Sequence, residues 1–309
     1  MIDITCIGHI TRDVIVTPRH RATLPGGTAY YVAMALHNLP QVRCHLVTAV
    51  GHDSDEVVAR LRERDVMVDV TDRTGTVTFE NTYGNNRNNR SQRVTGGAAP
   101  FTASCVADIR ADVVHVGTLL NGDCDLATLQ AIAQNNRLSV DAQGLLRHVV
   151  DGRVEPCDWT WKREALPLID ILKVNEHEIV SLTGQHTAAQ AARQLADWGA
   201  REVLITLGDR GSIIYCDGKL HAIAAYEPQQ CVDVTGCGDT YAAGYLYCRG
   251  QGASPDEAGH FAAAMATLKI ERSGPFKGEI EDVNTVMREA HALTPPLPQI
   301  TLDSDETIQ

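Results

Sequence analysis

The stretch Val232-Asp-Val-Thr-Gly-Cys-Gly-Asp-Thr-Tyr-Ala-Ala-Gly244 sets two glycines around a cysteine, adds a carboxylate, and then runs into helix-forming residues. Gly236 and Gly238 carry no side chain, so a ligand can approach the main chain closely there. A helix predicted over Asp239 to Cys248 adds free N–H groups and the positive end of its dipole, which makes the turn an anion site. Two uses of Asp239 follow. It serves as a plain helix cap, or, beside an anion hole, it accepts a proton from an attacking hydroxyl, as phosphoryl transfer requires. The chain contains neither G-x-x-x-x-G-K-[ST] nor G-x-G-x-x-G after a strand, so the commoner nucleotide cradles are absent.

Working outward, short β-branched runs recur at Ile2 to Ile7, His45 to Val50, Val113 to Val116, Leu138 to Asp141, Ile169 to Val174 and Val203 to Leu207. Helical patterns fall between them at Thr28 to Leu39, Ser54 to Arg64, Asp125 to Asn135 and Thr187 to Trp198. The alternation predicts an α/β fold, a mostly parallel central sheet flanked by helices on both faces. Ligands of such sheets bind at the carboxyl ends of the strands. Val68 to Val94 breaks the rhythm and reads as a β-hairpin with a loop at Gly84 to Asn89. A second β-prone piece, Asp13 to Thr17, precedes Pro25-Gly26-Gly27. Together they predict a small β-sheet lid, with a purely structural or dimer-forming extension as the plainer reading. The implied division is a core over 1–10, 26–67 and 98–293, a discontinuous lid over 11–25 and 68–97, and an extended or disordered tail over 294–309.

A chain of 309 residues with 44% hydrophobic content can bury a substantial core. Its formal net charge of -12, from 39 acidic and 27 basic residues, argues against nucleic acid or an anionic membrane as partner. A small molecule is expected instead. The start MIDITCIGHITRD has no basic leader with a long apolar run, and no stretch approaches about 18 apolar residues, so a cytoplasmic location is expected. Nine cysteines without a C-x-x-C read as reduced thiols.

Several separated motifs then converge. The D-x-T-G-x-G-D core at Asp233 to Asp239 resembles the C-terminal signature of the ribokinase, or PfkB, family of carbohydrate kinases. Pro25-Gly26-Gly27-Thr28-Ala29 resembles its N-terminal glycine pair, and Lys173-Val-Asn175-Glu-His-Glu178 its N-x-x-E motif. Gly8 to Asp13, Gly51-His-Asp53, Gly117-Thr-Leu-Leu, Val140-Asp141-Ala-Gln143-Gly and Thr206-Leu-Gly208 follow in the family's order. The resemblance implies a ribokinase-like fold and an ATP- and magnesium-dependent kinase acting on an alcohol of a small polyol. In that reading Asp239 is the general base, and the N–H groups of Gly236, Cys237 and Gly238 form the anion hole. Asp13, Gly26, Gly27, Asp141 and Gln143 hold the substrate. Asn175 and Glu178 act on the phosphate and Mg2+ side through water. Thr206, Gly208 and the segment Ala262 to Lys269, with Ala263 and Thr267, line the nucleotide. Asp233 and Thr235, with the Ser273-Gly274-Pro275 loop, keep part of a monovalent-cation site, which makes K+ activation an expectation.

Read without the family, Asn175 and Glu178 also fit a capping box, and both readings stand. Cys237 becomes reactive if the helix N-terminus lowers its pKa. Val234 departs from the threonine that many members carry. Thr28-Ala29-Tyr30-Tyr31 replaces the lysine, glycine and asparagine of ribokinases proper, which disfavours D-ribose; one of the two tyrosines is expected to be packing alone. Thr78 to Gly84, followed by Arg87, Arg90 and Arg93, resembles the branch that includes myo-inositol kinases. Those arginines suit a sugar acid as an alternative, and the presence of only Phe79 and Tyr83 in the lid disfavours a nucleoside. A non-catalytic sugar-binding regulator is the rival from another class, and a homodimer through the lid is compatible with either.

Overall fold

The computed structural model describes residues 1–17, 20–83 and 90–295. The expected loop at Gly84 to Asn89 with Arg87, the side chains of Tyr83 and Arg90, and the tail beyond Pro295 lie outside the described residues. The strands are β1 (Ile2–Ile7), β2 (Thr11–Thr17), β3 (His20–Gly26), β4 (Val42–Ala49), β5 (Met67–Asp72), β6 (Thr78–Tyr83), β7 (Arg90–Gly96), β8 (Val113–Val116), β9 (Arg137–Asp141), β10 (Arg147–Val150), β11 (Arg153–Pro156), β12 (Ile171–Asn175), β13 (Glu202–Thr206), β14 (Ser212–Cys216) and β15 (Lys219–Ile223). The helices are α1 (Thr28–His37), α2 (Asp55–Arg62), α3 (Ala103–Val106), α4 (Leu126–Ala133), α5 (Lys162–Ala165), α6 (Glu176–Thr183), α7 (Ala188–Asp197), α8 (Cys237–Gly250), α9 (Pro255–Ile270) and α10 (Ile280–Glu289).

Nine strands form one sheet in the order β15-β14-β13-β12-β9-β8-β1-β4-β5. Pairing is parallel from β5 to β13 and antiparallel from β13 to β15. The switch is local in origin: β13 turns back into β14 through 207–211, where Leu207 N donates to Gly211 O at 2.9 Å, and β14 turns into β15 at Asp217 and Gly218, whose φ of 49° and 78° are the backbone of a two-residue hairpin turn. Alternate residues of the central strands enter two apolar layers, as when Val113, Leu204 and Ile214 face one and Val114, Val203, Ile205 and Ile213 face the other. Helices α1, α8 and α9 cover the first layer, and α4, α6 and α7 the second.

The two lid segments do pair. β3-β2-β6-β7 form a separate four-stranded sheet, with β2 parallel to β6 and antiparallel to β3. The boundary expected at Val68 moves, because β5 joins the large sheet beside β4 and Val68 is buried in the core. Apolar burial of this residue outweighs continuity with the hairpin, and the small sheet begins at Thr78. The β10 and β11 pair, unforeseen from the sequence, turns at Asp151 and Gly152 with φ of 50° and 76°. It reaches the small sheet through a 2.8 Å hydrogen bond from Val94 N to Gly152 O. No helix among the described residues is long and apolar enough to cross a membrane, and none of the nine cysteines forms a disulfide.

Candidate active site

Helix α8 starts at Cys237, two residues earlier than the sequence suggested, with Gly236 as its cap at φ 77°. A Cβ on Gly236 would lie 2.4 Å from Tyr31 Cδ1, so both the left-handed backbone and the tyrosine ring require glycine here. On Gly238 a Cβ would lie 3.1 Å from Lys173 Nζ. Two bonds to one acceptor hold the turn, because Val232 N and Asp233 N both donate to Ile270 O, at 2.8 and 3.1 Å. Cys237 N already donates to Val234 O at 3.2 Å. Of the three expected anion-hole donors, Cys237 N is therefore engaged within the turn itself.

Beneath this turn runs a polar file on the carboxyl ends of the sheet strands. In register, His115 faces Ser139 and Asp141 faces Lys173. Lys173 Nζ donates to Asp141 Oδ2 at 2.7 Å with both side chains buried. Burial opposes charge on Lys173, but Asp141, Glu178 and Asp239 outweigh it and keep the ammonium protonated. Burial would likewise raise the Asp141 carboxyl, and Lys173 outweighs it, so Asp141 stays ionised. Burial pushes the Asp239 carboxyl up to about 6, against the Lys173 charge and a hydrogen bond from the Thr28 side chain. It also pushes Glu178 up to about 7, with help from Asp141. His115 is driven down to about 4 by burial and stays neutral. Thr28 and Lys173 stand inside quoted motifs, yet nothing local to either motif marked them as neighbours of Asp239; the sheet register brings them there.

Two cavities meet at the start of α8. One, of about 1010 Å³, is lined by Gly27, Thr28, Gln143, Gly236 and Asp239 on the core side and by Asp13, Phe79, Gln92 and Arg93 of the small sheet. Arg147 and Arg153 of the β10 and β11 hairpin line it as well. Asp13 Oδ1 accepts from Thr11 Oγ1 at 2.8 Å, and a Cβ on Gly26 would lie 2.4 Å from Asp13 Oδ2, so Gly26 leaves room for the carboxylate. Gly27 has φ 98° and would strike His9 O. Asp141 does not line this cavity. It ends β9 on the buried side and accepts from Gln143 N at 3.1 Å, so it supports Gln143 rather than holding the substrate. Tyr31 lines the cavity; Tyr30 packs in the core.

The second cavity, of about 530 Å³, is lined by Thr206, Gly208, Cys237, Gly238, Tyr241, Ala263 and Thr267. Its wall is mostly apolar, as a nucleobase requires. Asn175 and Glu178 line neither cavity and form the capping box of α6: Asn175 Oδ1 accepts from His177 N and Glu178 N, and Glu178 Oε2 from Asn175 N at 2.9 Å. Asn175 pairs in register with Thr206, which puts the box at the rim of the second cavity. The Cys237 thiol is pushed up to about 12 by burial in spite of Lys269, so the lowered pKa on which its reactivity was conditional is not met and the thiol stays protonated.

Asp233 and Thr235 lie in the turn, with Thr235 N donating to Asp233 Oδ1 at 3.0 Å and Gly274 N to Oδ2 at 3.2 Å. A monovalent cation does not fit beside them, because the buried Lys269 Nζ donates to Asp233 O at 2.8 Å and lies 3.3 Å from Asp233 Oδ2. Sequence reading placed Lys269 at the end of the nucleotide segment and missed this contact.

The profile of the pfkB family carbohydrate kinases matches residues 1–281. Cytidine kinase of Thermococcus kodakarensis is 28% identical over 265 residues, covering 81% of this chain and 90% of its own. A pyrophosphate-dependent kinase in the ribokinase family, solved with a pyrophosphate analog and myo-inositol, is 28% identical with a TM-score of 0.82, over 91% of this chain and 99% of its own. Ribokinase of Arabidopsis thaliana, solved with ribose and ATP, shares the fold at a TM-score of 0.75 and 21% identity, over 93% of this chain and 99% of its own. Matched over nearly its whole length, and carrying the glycine turn with its half-buried carboxylate between two cavities, the chain belongs to the pfkB family of carbohydrate kinases.

Proposed function

We propose that the enzyme transfers the γ-phosphoryl group of ATP to a hydroxyl of a small neutral polyol, with a cyclitol such as myo-inositol as the first candidate. The observation that carries this reading is the division at the start of α8: Gly236 and Asp239 line the larger cavity while Cys237 and Gly238 line the apolar one. A donor lying in the second cavity would present its terminal phosphoryl to the turn, and an acceptor in the first would reach it beside Asp239. The acceptor oxygen then forms the new P–O bond, its proton passes to the Asp239 carboxylate, and ADP leaves with the electrons of the broken bond. The N–H groups of the turn hold the charge that develops on the phosphoryl oxygens. Bound Mg2+ would neutralise the donor phosphates. The described residues include no group of three carboxylate, histidine or cysteine ligands for a metal, which suits an ion carried mainly by phosphate oxygens, with Asn175 and Glu178 reached through water.

The acceptor wall carries both signs, since Asp13, Asp151, Glu155 and Asp239 accompany Arg93, Arg147 and Arg153. That balance favours a neutral acceptor over a sugar acid. The similarity to a cytidine kinase favours a nucleoside as second reading, although among the described residues Phe79 and Tyr31 are the only aromatic side chains lining the cavity. Initial rates over inositols, hexoses, ribose, sugar acids and nucleosides, each with ATP and with pyrophosphate, test both. The expected result is a kcat/KM with ATP at least about tenfold higher for a cyclitol or hexose than for any nucleoside. Preference for a nucleoside, or rates with pyrophosphate above those with ATP, overturns the corresponding half of the reading.

A further inference from the structure

Lys269 is the penultimate residue of α9, only 1% exposed, and among the largest fully buried side chains of the described residues. Lysine is almost never buried so completely unless its charge is matched. Its ammonium meets two oxygens of one residue, Asp233 O at 2.8 Å and Asp233 Oδ2 at 3.3 Å. The same Asp233 carboxylate accepts from Thr235 N and Gly274 N, and Asp233 N and Val232 N are held by Ile270 O of the same helix end. One cation therefore joins α9, the 273–275 loop and the turn that leads into Gly236. A main-chain carbonyl with a carboxylate oxygen is a hard-oxygen seat of the kind that binds alkali cations. Two unit charges held about 4 Å apart near a protein surface repel enough to weaken binding of the second by roughly 10³-fold.

We propose that Lys269 is a tethered monovalent cation: its ammonium takes the seat at Asp233, fixes the 232–236 turn, and makes phosphoryl transfer independent of potassium. Lys269 touches no reacting atom. It is a positioning residue that acts through Asp233 on the N–H groups of Gly236 and Gly238. An ion pair that merely braces α9 would have the same geometry, but it would not create a seat that free cations refill.

Removing the side chain and offering free cations separates the two. Wild type, Lys269→Ala and Lys269→Met are compared in chloride salts of potassium, ammonium, methylammonium and choline at equal ionic strength, by initial rate and by thermal unfolding midpoint. Wild type is expected to be indifferent to the cation in both readouts. Lys269→Ala is expected to lose at least about tenfold in kcat in choline, the scale of a catalytic group misplaced by a fraction of an ångström. Potassium, ammonium or methylammonium should restore several-fold of that loss and raise the midpoint, as a ligand of the folded state does. Lys269→Met, which fills the channel without charge, should be slow and unrescued. Activation of wild type by potassium overturns the proposal, and so does a Lys269→Ala protein that no small cation rescues in either readout. The wild-type comparison decides alone if the variants fail to fold. The rate arm rests on the proposed kinase activity, whereas the midpoint arm does not: an enzyme inactive on every acceptor but with a cation-stabilised Lys269→Ala variant would refute that activity and leave the seat intact.

Discussion

Asp239 must be ionised to take a proton, yet its surroundings resist the charge. Its carboxyl is pushed up to about 6, chiefly by burial, so kcat/KM should rise with pH through an acid limb near 6 and level off above it. The sign of the stability effect is opposite. Because the folded state holds this proton more tightly than the unfolded chain, ionised Asp239 opposes folding, by nothing below pH 4 and by its full amount above pH 6. A shift of about two units corresponds to roughly 3 kcal/mol at most, and partial access to the cleft reduces it to roughly 1–2 kcal/mol. Asp239→Asn is therefore expected to lower turnover by roughly two to four orders of magnitude while raising the unfolding free energy at pH 8 and leaving it unchanged at pH 4. A variant that is slow and also less stable at pH 8 would point to damage at the turn and remove the assignment. At this scale the sequence was informative where main-chain geometry demanded glycine, at Gly236 and Gly27, because that demand shows in residue type. The partners that tune Asp239, namely Thr28 and Lys173, are 211 and 66 positions away by number and become neighbours only through sheet register and helix packing.

At the scale of elements, the β10 and β11 hairpin is the piece that joins core to small sheet around the acceptor cavity. Gly152 has φ 76°, its carbonyl accepts from Val94 N, and a Cβ there would approach Arg93 Nη2 to 3.6 Å. A β-branched residue in this backbone is strained by roughly 1–2 kcal/mol. Gly152→Val should accordingly raise the acceptor KM by about tenfold, the ratio that 1.4 kcal/mol sets, and leave the ATP KM unchanged because Gly152 is remote from the second cavity. Equal changes in both constants would mean that the hairpin supports the whole fold rather than the acceptor wall. Both hairpins missed from the sequence turn on an Asp-Gly pair, Asp151-Gly152 and Asp217-Gly218, a turn signal that was readable. The rhythm of strand and helix drew attention away from such short strands. The parallel strands were legible because burial on both faces leaves continuous β-branched runs. β5 was assigned to the wrong sheet because its Met67-Val-Asp-Val-Thr-Asp72 pattern alternates like a lid strand, and only its packing beside β4 reveals the difference.

At the scale of the whole molecule, the acceptor cavity has walls on two bodies. Thr28, Gln143 and Asp239 belong to the core, and Asp13, Phe79, Gln92 and Arg93 to the small sheet. The chain passes between them at glycine-bearing points, Gly26-Gly27 and Gly96-Gly97, and no atom lies within 4 Å of a Cβ built on Gly97. Such points absorb the backbone changes of a hinge. A ligand can shift an open and closed pair of states only by touching them differently. An acceptor bridging both bodies does so, whereas a nucleotide confined to the wall formed by Thr206, Tyr241, Ala263 and Thr267 touches the core alone. Closure should therefore follow acceptor binding, with ATP hydrolysis suppressed until the acceptor arrives because water still reaches the open turn without being held in line. Hydrogen exchange measures this directly. The preferred acceptor is expected to slow exchange of amides in β2, β6, β7 and the β10 and β11 hairpin, while ATP alone slows only those around β13 and the start of α8. Equal protection of the small sheet by ATP alone would show that closure is driven from the donor side and would sink the ordered scheme.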